Sequence, residues 1–454
     1  MALIKSISGI RGTIGGGAGD NLTPQDIVEC TAAFGAWLLE KGNTPKVVVG
    51  RDARISGPLV KQLVINTLLA QGIHVVDLDL STTPTVEMAV AWEQAGAGII
   101  ITASHNPKHW NALKFLNEKG EFIAKAEGEA LLAKIEEGSI HYAEVDRLGT
   151  LTQKTDYLQQ HIQAVLDYPL VNVAAIQSKK LKVVVDGINS SGAVAVPALL
   201  ERLGCQTILI NGEPNGEFAH NPEPLAQHLT QLSATIRTEQ ADLGISVDPD
   251  VDRLAFVCED GVMFGEEYTL VAVADYVLQH RKGNTVSNLS STRALRDITE
   301  KHGGQYQASA VGEVNVVTKM KEVEAVIGGE GNGGIIVPDF HYGRDALIGI
   351  GLFLTHLCQS GQSMTELRAS YPDYEMIKDK IQLDPGLDLN ALLQKLEEIY
   401  RSEDYNTIDG LKINFEKGWV HLRKSNTEPI IRVYAEGPDR ATAQQFVDDI
   451  KSHI

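Results

Sequence analysis

The sequence predicts an α/β protein of three similar domains with mixed, mainly parallel sheets, followed by a smaller C-terminal α+β domain. Three observations carry this prediction. A strand, a polar loop and a helical pattern recur three times; a glycine opens the second strand of each recurrence; and after Leu411 the pattern changes to short strands joined by turns. At 454 residues the chain also exceeds what one hydrophobic core organises.

The first strand of each repeat is apolar and β-branched. Lys46 to Val49 (KVVV) leads into GRDARISG, Lys182 to Val185 (KVVV) into DGINSSG, and Asn284 to Leu289 (NTVSNL) into SSTRAL. Second strands begin at Gly72, Gly204 and Gly304. Third strands follow in GAGIIITASHNP from Gly96, ADLGISVDPDVDR from Ala241 and VEAVIGGEGNGG from Val323. Each is succeeded by a short apolar run, at Leu113 to Leu116, Leu254 to Cys258 and Ile335 to Val337, and so short a return predicts an antiparallel edge strand. Ligands of open parallel sheets lie beyond the carboxyl ends of the strands, which is where the three polar motifs fall.

From Leu411, LKINF, an EKG turn, WVHLRKS, an NTEP loop, IIRVYAE and a helix from Asp439 to Ile454 read as the α+β unit. Ser, Gly and Pro between Ser360 and Pro385 read as a linker region. The expected domains are residues 1–150, 151–253, 254–365 and 366–454.

Composition narrows the class of function. Hydrophobic content of 43% and charged content of 22% are ordinary for a globular protein. No run approaches the length of a membrane span, and Met1 to Gly12 lacks a signal-peptide core, so a cytoplasmic protein is expected. Cys30, Cys205, Cys258 and Cys358 are scattered, without a CxxC pair, and read as free thiols. A net charge of −19 argues against nucleic acid as a partner. Anionic small molecules then require a local concentration of cations.

Four motifs carry chemistry. In TASHNP, Ser104 follows a strand of three isoleucines and precedes His105 at a tight turn, a geometry that exposes a hydroxyl nucleophile; the plain alternative is a serine that caps a turn or helix. Asp248, Asp250 and Asp252 in DPDVDR alternate in a loop, so their carboxylates can converge on one hard cation such as Mg2+, or form a solvated acidic turn. An EF-hand is excluded, because Arg253 stands where that loop needs glycine and the following LAFVCEDG is strand-like. In GGEGNGG, Glu330 and Asn332 offer polar contacts suited to sugar hydroxyls, while glycines let backbone approach a ligand; in isolation the segment reads as a surface turn. RKSNTEPIIR joins Arg423, Lys424, Ser425, Asn426, Thr427 and Arg432 in one loop-and-strand stretch, a phosphate-binding composition whose alternative is a charged hairpin.

TASHNP, DPDVDR, GGEGNGG and RKSNTEP, in this order over the whole chain, resemble the α-D-phosphohexomutase superfamily of phosphoglucomutases, phosphomannomutases and phosphoglucosamine mutases. The resemblance implies four domains around a central cleft. It makes Ser104 the phosphoserine, with Ser104, Asp248, Asp250 and Asp252 holding Mg2+. Glu330 and Asn332 then face the sugar, and Arg423, Ser425, Asn426, Thr427 and Arg432 hold the non-reacting phosphate. Arg11 in SGIRG, His105, Lys114 in NALKF and Arg253 complete the implied active site, with Lys114 assisting proton transfer. Two positions depart from many members, Ala112 for a glycine and Gly334 for a histidine. GEGNGG and VGEVNV look most like archaeal amino-sugar mutases, so the implied activity is an isomerase acting on hexosamine phosphates, with glucose or mannose phosphates as alternative substrates. A hexose 1,6-bisphosphate serves as intermediate and activator. Rivals from other classes are a serine-dependent sugar phosphatase and a non-catalytic sugar-phosphate sensor.

Overall fold

A computed structural model describes residues 3–6, 9–382, 389–424 and 430–453. These fall into two compact units, Met1–Thr269 with Gly333–Thr365, and Leu270–Asn332 with Glu366–Ile454. No helix among the described residues is long and apolar enough to cross a membrane. All four cysteines are free.

In the first unit, the valine run Lys46–Arg51 lies between parallel strands His74–Leu80 and Ala97–Ile101. Its β-branched side chains are buried on both faces, as in sheets covered by helices. Trp110–Leu116 returns antiparallel beside Ala97–Ile101, as the short apolar run predicts. The sheet then continues through Gly9–Thr13 to Leu3–Ser6, and at its other end Leu151–Gln153 adds a parallel edge, giving seven strands. A second sheet orders Leu254–Cys258, Leu243–Val247, Lys182–Asp186 and Gln206–Ile210, with only the first pair antiparallel.

In the second unit, Asn284–Asn288 lies between parallel strands Tyr306–Ser309 and Ala325–Glu330. The C-terminal sheet is antiparallel throughout, ordered Glu375–Gln382, Ile430–Gly437, Gly418–Lys424, Leu411–Phe415 and Asp404–Asn406, and helix Arg440–Ser452 packs its Ala443, Val447 and Ile450 into the core beneath it. The linker expectation for residues 360–385 is corrected here. Met364–Ala369 is helical, and Glu375–Gln382 (EMIKDKIQ) pairs along its full length with Ile430–Gly437. Only Ile377 in that strand is fully buried, so the charges that obscured it line an exposed edge.

The repeats share one atomic device. At the end of each first strand a side-chain oxygen accepts the backbone N–H two residues on: Asp52 from Arg54 at 2.9 Å, Asp186 from Ile188 at 3.0 Å, and Asn288 from Ser290 at 2.9 Å. Such turns redirect the chain from strand into helix without leaving the first amide unpaired.

The second unit also buries a titratable histidine. His421 Nε2 donates to the Asp409 carbonyl at 2.7 Å and its Nδ1 accepts from Ser290 Oγ at 2.9 Å, so the neutral ring is fully satisfied. Burial pushes its pKa down from 6.5 to about 4. The unfolded chain therefore binds the extra proton first, and the neutral histidine's contribution, complete above pH 6.5, is lost as pH falls toward 4. Between pH 7 and pH 5 the urea-unfolding free energy should drop by roughly 2 kcal/mol more in the wild type than in His421→Asn. Equal pH dependence in the two proteins would show that His421 titrates normally.

Candidate active site

Ser104 sits just past the end of Ala97–Ile101 with φ of 48°, a left-handed conformation that non-glycine residues rarely adopt. Two sets of bonds hold it there. Its N–H donates to Thr102 Oγ1 at 2.9 Å, and Thr102 in turn donates to Asp52 Oδ2 at 2.7 Å. Arg54, fully buried, donates to the carbonyls of Ser104, Asn106, Pro107 and Trp110 and, through Nε, to Asp52 Oδ2 at 3.0 Å. One guanidinium thus satisfies three carbonyls of the TASHNP turn and that of Trp110, where unpaired buried acceptors would be costly.

The aspartates follow the third strand of the second repeat, Leu243–Val247, and are buried. Their ligand atoms lie within 4.8 Å of one another. Asp248 Oδ2 accepts the Ser104 hydroxyl at 2.6 Å, while its Oδ1 accepts the N–H groups of Asp252 at 3.2 Å and Arg253 at 3.1 Å. Asp250 Oδ2 accepts from Thr83 Oγ1 at 2.6 Å and Lys114 Nζ at 2.9 Å. Asp252 Oδ2 accepts from Arg344 Nη2 at 2.5 Å. Val251, between two of them, also has positive φ, 64°, so the loop is held in a strained turn.

Burial, then Asp252 and Asp250, push the Asp248 carboxyl well above its ordinary value. Burial acts on Asp250 in the same sense, but Lys114 and the hydrogen bonds from its neighbours outweigh it and hold that carboxyl low. Three carboxylates in one dry pocket repel, and a dication relieves that repulsion. The donor set fits one. Oδ1 of Asp250 and Oδ1 of Asp252 are buried without a hydrogen-bond donor, and buried acceptors without donors are rare unless another partner is intended.

Lys114 lies on Trp110–Leu116; burial works against its charge, but Asp250 and Asp252 raise its pKa, so it stays an ammonium. Arg11 pairs in register with Ala112, which places it on the same sheet face as Lys114. Ala112 itself is buried, and its methyl group does not prevent the Lys114 contact. Arg253, followed by burial, pushes His105 down to about 2, so the ring is neutral, its Nδ1 3.4 Å from Ser104 Oγ. Arg253 Nη1 reaches Glu223 at 3.4 Å. The first unit therefore gathers Ser104, His105, Lys114, Arg11, the three aspartates and Arg253. Thr83, Arg54 and Arg344 join them, although the motifs gave no reason to single these three out.

Glu330, Asn332, Arg423 and Arg432 belong to the second unit. Glu330 Oε1 accepts from Asn288 Nδ2 at 2.8 Å and the Gly312 N–H at 3.1 Å. Ser425, Asn426 and Thr427 lie outside the described residues. Two glycines of GGEGNGG answer to the fold's own packing: a Cβ at Gly328 would come within 2.6 Å of Met320 Sδ, and one at Gly333, where φ is 84°, within 2.1 Å of the Leu254 carbonyl. Arg432 faces Arg423 across one strand pair and Lys380 across the other. Directly opposed like charges are unfavourable, and with Asp409 4.0 Å from Arg423 as one acidic neighbour the row keeps a net positive charge that suits an anion. Lys380 escapes sequence reading because only the register reveals it.

Comparison with known proteins agrees along the whole chain. Family models described as Phosphoglucomutase/phosphomannomutase, alpha/beta/alpha domains I, II and III, match residues 3–141, 157–261 and 265–374, and that of the C-terminal domain matches 379–453. A phosphoglucomutase/phosphomannomutase of Thermococcus kodakarensis is 35% identical over 99% of this chain and 97% of its own length. A phosphoglucosamine/phosphogalactosamine mutase of Sulfurisphaera tokodaii is 30% identical over 100% of this chain and 99% of its own. The crystal structure of a phosphoglucomutase/phosphomannomutase family protein from Burkholderia thailandensis superposes with a TM-score of 0.84 at 25% identity, covering 100% of this chain and 97% of that one. The chain belongs to the phosphoglucomutase/phosphomannomutase family of phosphohexomutases.

Proposed function

We propose that this protein is a cytoplasmic mutase that interconverts hexosamine 6-phosphate and 1-phosphate, with glucosamine phosphate preferred, through phospho-Ser104 and a bound 1,6-bisphosphate. The observation that carries the reading is the Ser104 hydroxyl 2.6 Å from Asp248 in a buried carboxylate cluster with an ammonium at 2.9 Å from Asp250. A sugar hydroxyl attacks the phosphorus of phospho-Ser104, the bond from phosphorus to Oγ breaks, and the hydroxyl proton ends on Oγ, which then donates to Asp248. The reverse step, after the bisphosphate turns over, returns the other phosphoryl group to Ser104. Lys114, Arg11 and Arg253 bring positive charge toward the transferring group, and neutral His105 can relay the proton. Mg2+ held by Asp248, Asp250, Asp252 and the Ser104 phosphate would supply charge neutralisation there. Glu330 and Asn332 contact the sugar, and Arg423, Ser425, Asn426, Thr427 and Arg432 hold the phosphate that does not react.

The amino-sugar preference is supported by the 30% identical relative named for glucosamine and galactosamine phosphates. A second reading, glucose or mannose phosphate, is favoured by the name of the 35% identical relative. Phosphorus NMR on the three 1-phosphates, each with a trace of its bisphosphate, separates these readings. Glucosamine 1-phosphate should convert with the highest kcat/KM. A higher value for glucose or mannose moves the assignment to the second reading, and release of inorganic phosphate without isomerisation would replace mutase by phosphatase.

Arg432→Ala should remove a charge-assisted phosphate contact of roughly 1.5 to 3 kcal/mol, or about a ten- to hundredfold fall in kcat/KM. The fall should appear with both the 1-phosphate and the 6-phosphate. Loss with one of them alone would assign Arg432 to the reacting end.

A further inference from the structure

We propose that Thr83 and Arg344 are positioning residues that aim the metal-binding oxygens of Asp250 and Asp252. The inference rests on reading the three aspartates as a metal site. Its basis is the division of labour between carboxylate oxygens. In both residues Oδ2 is engaged by the protein, in Asp250 by Thr83 Oγ1 at 2.6 Å beside Lys114 Nζ at 2.9 Å and in Asp252 by Arg344 Nη2 at 2.5 Å, while Oδ1 is buried and has no donor. A carboxylate tied by one oxygen cannot spin about its last torsion, so the other oxygen is presented in one direction before any ion arrives.

Both partners are themselves fixed. Thr83 opens helix Thr83–Trp92, and its N–H donates to the Asp250 carbonyl at 2.8 Å, so hydroxyl and amide grip the same residue. Arg344 precedes Asp345, the N-cap of Ala346–Ser360, whose Oδ1 accepts from Leu347 N at 2.7 Å and whose Oδ2 meets His161 at 2.9 Å and His341 at 3.1 Å. The Ala346 N–H donates to the Val251 carbonyl at 3.3 Å, inside the aspartate loop. Gly343 brings this backbone so close to helix Thr83–Trp92 that a Cβ would lie 1.9 Å from Glu87 Oε2. Helix and loop thus brace the two aspartates from one packed body. Arg344 is not there for its charge, since a cation beside a dication opposes binding; the single hydrogen bond it directs to Asp252 Oδ2 is what it contributes.

Manganese binding to the purified full-length protein, without substrate and followed by the electron paramagnetic resonance of free Mn2+, tests the assignment. Thr83→Val keeps the shape and loses the hydroxyl, whereas Thr83→Ser keeps the hydroxyl and loses the methyl group. Thr83→Val and Arg344→Met should each weaken Mn2+ binding by about tenfold or more, the usual effect of losing a residue that orients a ligand, and Thr83→Ser should bind as the wild type does. Unchanged affinity in Thr83→Val overturns the proposal, as does a loss in Thr83→Ser equal to that in Thr83→Val, which would mean packing alone. Tighter binding in Arg344→Met, the result for a mere like charge, also overturns it. Should Arg344→Met fail to fold, the two Thr83 variants decide. A wild type that binds no Mn2+ removes the metal reading itself, whereas wild-type binding shared by all variants removes only the positioning role.

Discussion

Ser104→Ala is expected to show no mutase turnover above the assay floor while keeping the wild-type fold. The neighbouring hydroxyls are committed elsewhere, that of Thr83 to Asp250 Oδ2 at 2.6 Å. Thr102, two residues back, is fully buried, donates to Asp52 at 2.7 Å and accepts the Ser104 N–H, so its oxygen is committed to shaping the turn. Alanine meets the same left-handed φ at comparable strain and leaves Asp248 Oδ1 bonded to the loop amides, so folding should survive. Intact-mass analysis of active wild-type protein should find one covalent phosphate, mapping to Ser104, and none in the variant. Full activity in the variant, with phosphate at another residue, would end the phosphoserine mechanism.

Arg54→Met is expected to be the most destabilising of the changes considered. The guanidinium is fully buried, pairs with buried Asp52 at 3.0 Å and donates to four carbonyls. Methionine fills most of the volume but leaves the buried Asp52 without its counter-charge, bonded only to Thr102 and its loop amide, and takes the guanidinium from several carbonyls. Breaking such a pair by removing one partner costs about 3 to 5 kcal/mol, which should appear as a lower urea midpoint with little change in slope. Because three of those carbonyls belong to the Ser104 turn, displacement of the proposed phosphoserine by an ångström or so should also lower kcat by on the order of a hundredfold. Wild-type stability would show that water replaces the guanidinium, and wild-type kcat that the turn holds its shape without it.

The parts of the molecule legible in the sequence are those with local pattern. Valine and isoleucine runs, glycines before second strands and the polar motifs at strand ends lie within a few residues of one another, so the repeat and the residues at its strand ends can be read directly. Leu3–Ser6 and Gly9–Thr13 could not, since LIKS and GIRGT carry too few apolar residues to declare strands that are completed only by pairing. Glu375–Gln382 was hidden by its charges. Thr83 and Arg344 act on aspartates 167 and 92 positions away, and such contacts leave no spacing to detect. Arg54 was the nearest to visible, since it stands in the polar turn GRDARISG where each repeat leaves its first strand.

On the proposed reading, in which Arg423 and Arg432 hold the phosphate that does not react, the row of Lys380, Arg432 and Arg423 would couple ligand binding to the cohesion of the C-terminal sheet. In isolation that sheet carries an excess of positive charge, because three neighbouring strands are held together by hydrogen bonds and apolar packing while their facing cations push apart, with Asp409, 4.0 Å from Arg423, offsetting only part of it. An anion seated among them becomes part of the fold's own charge balance. By linkage the sheet gains RT ln(1 + [L]/Kd), about 2.7 kcal/mol at a hundredfold excess over Kd. Inorganic phosphate should therefore raise the melting temperature more than chloride at equal ionic strength, and Arg432→Ala should abolish the difference. A phosphate increment that survives in that variant would mean that the anion stabilises the protein from another site.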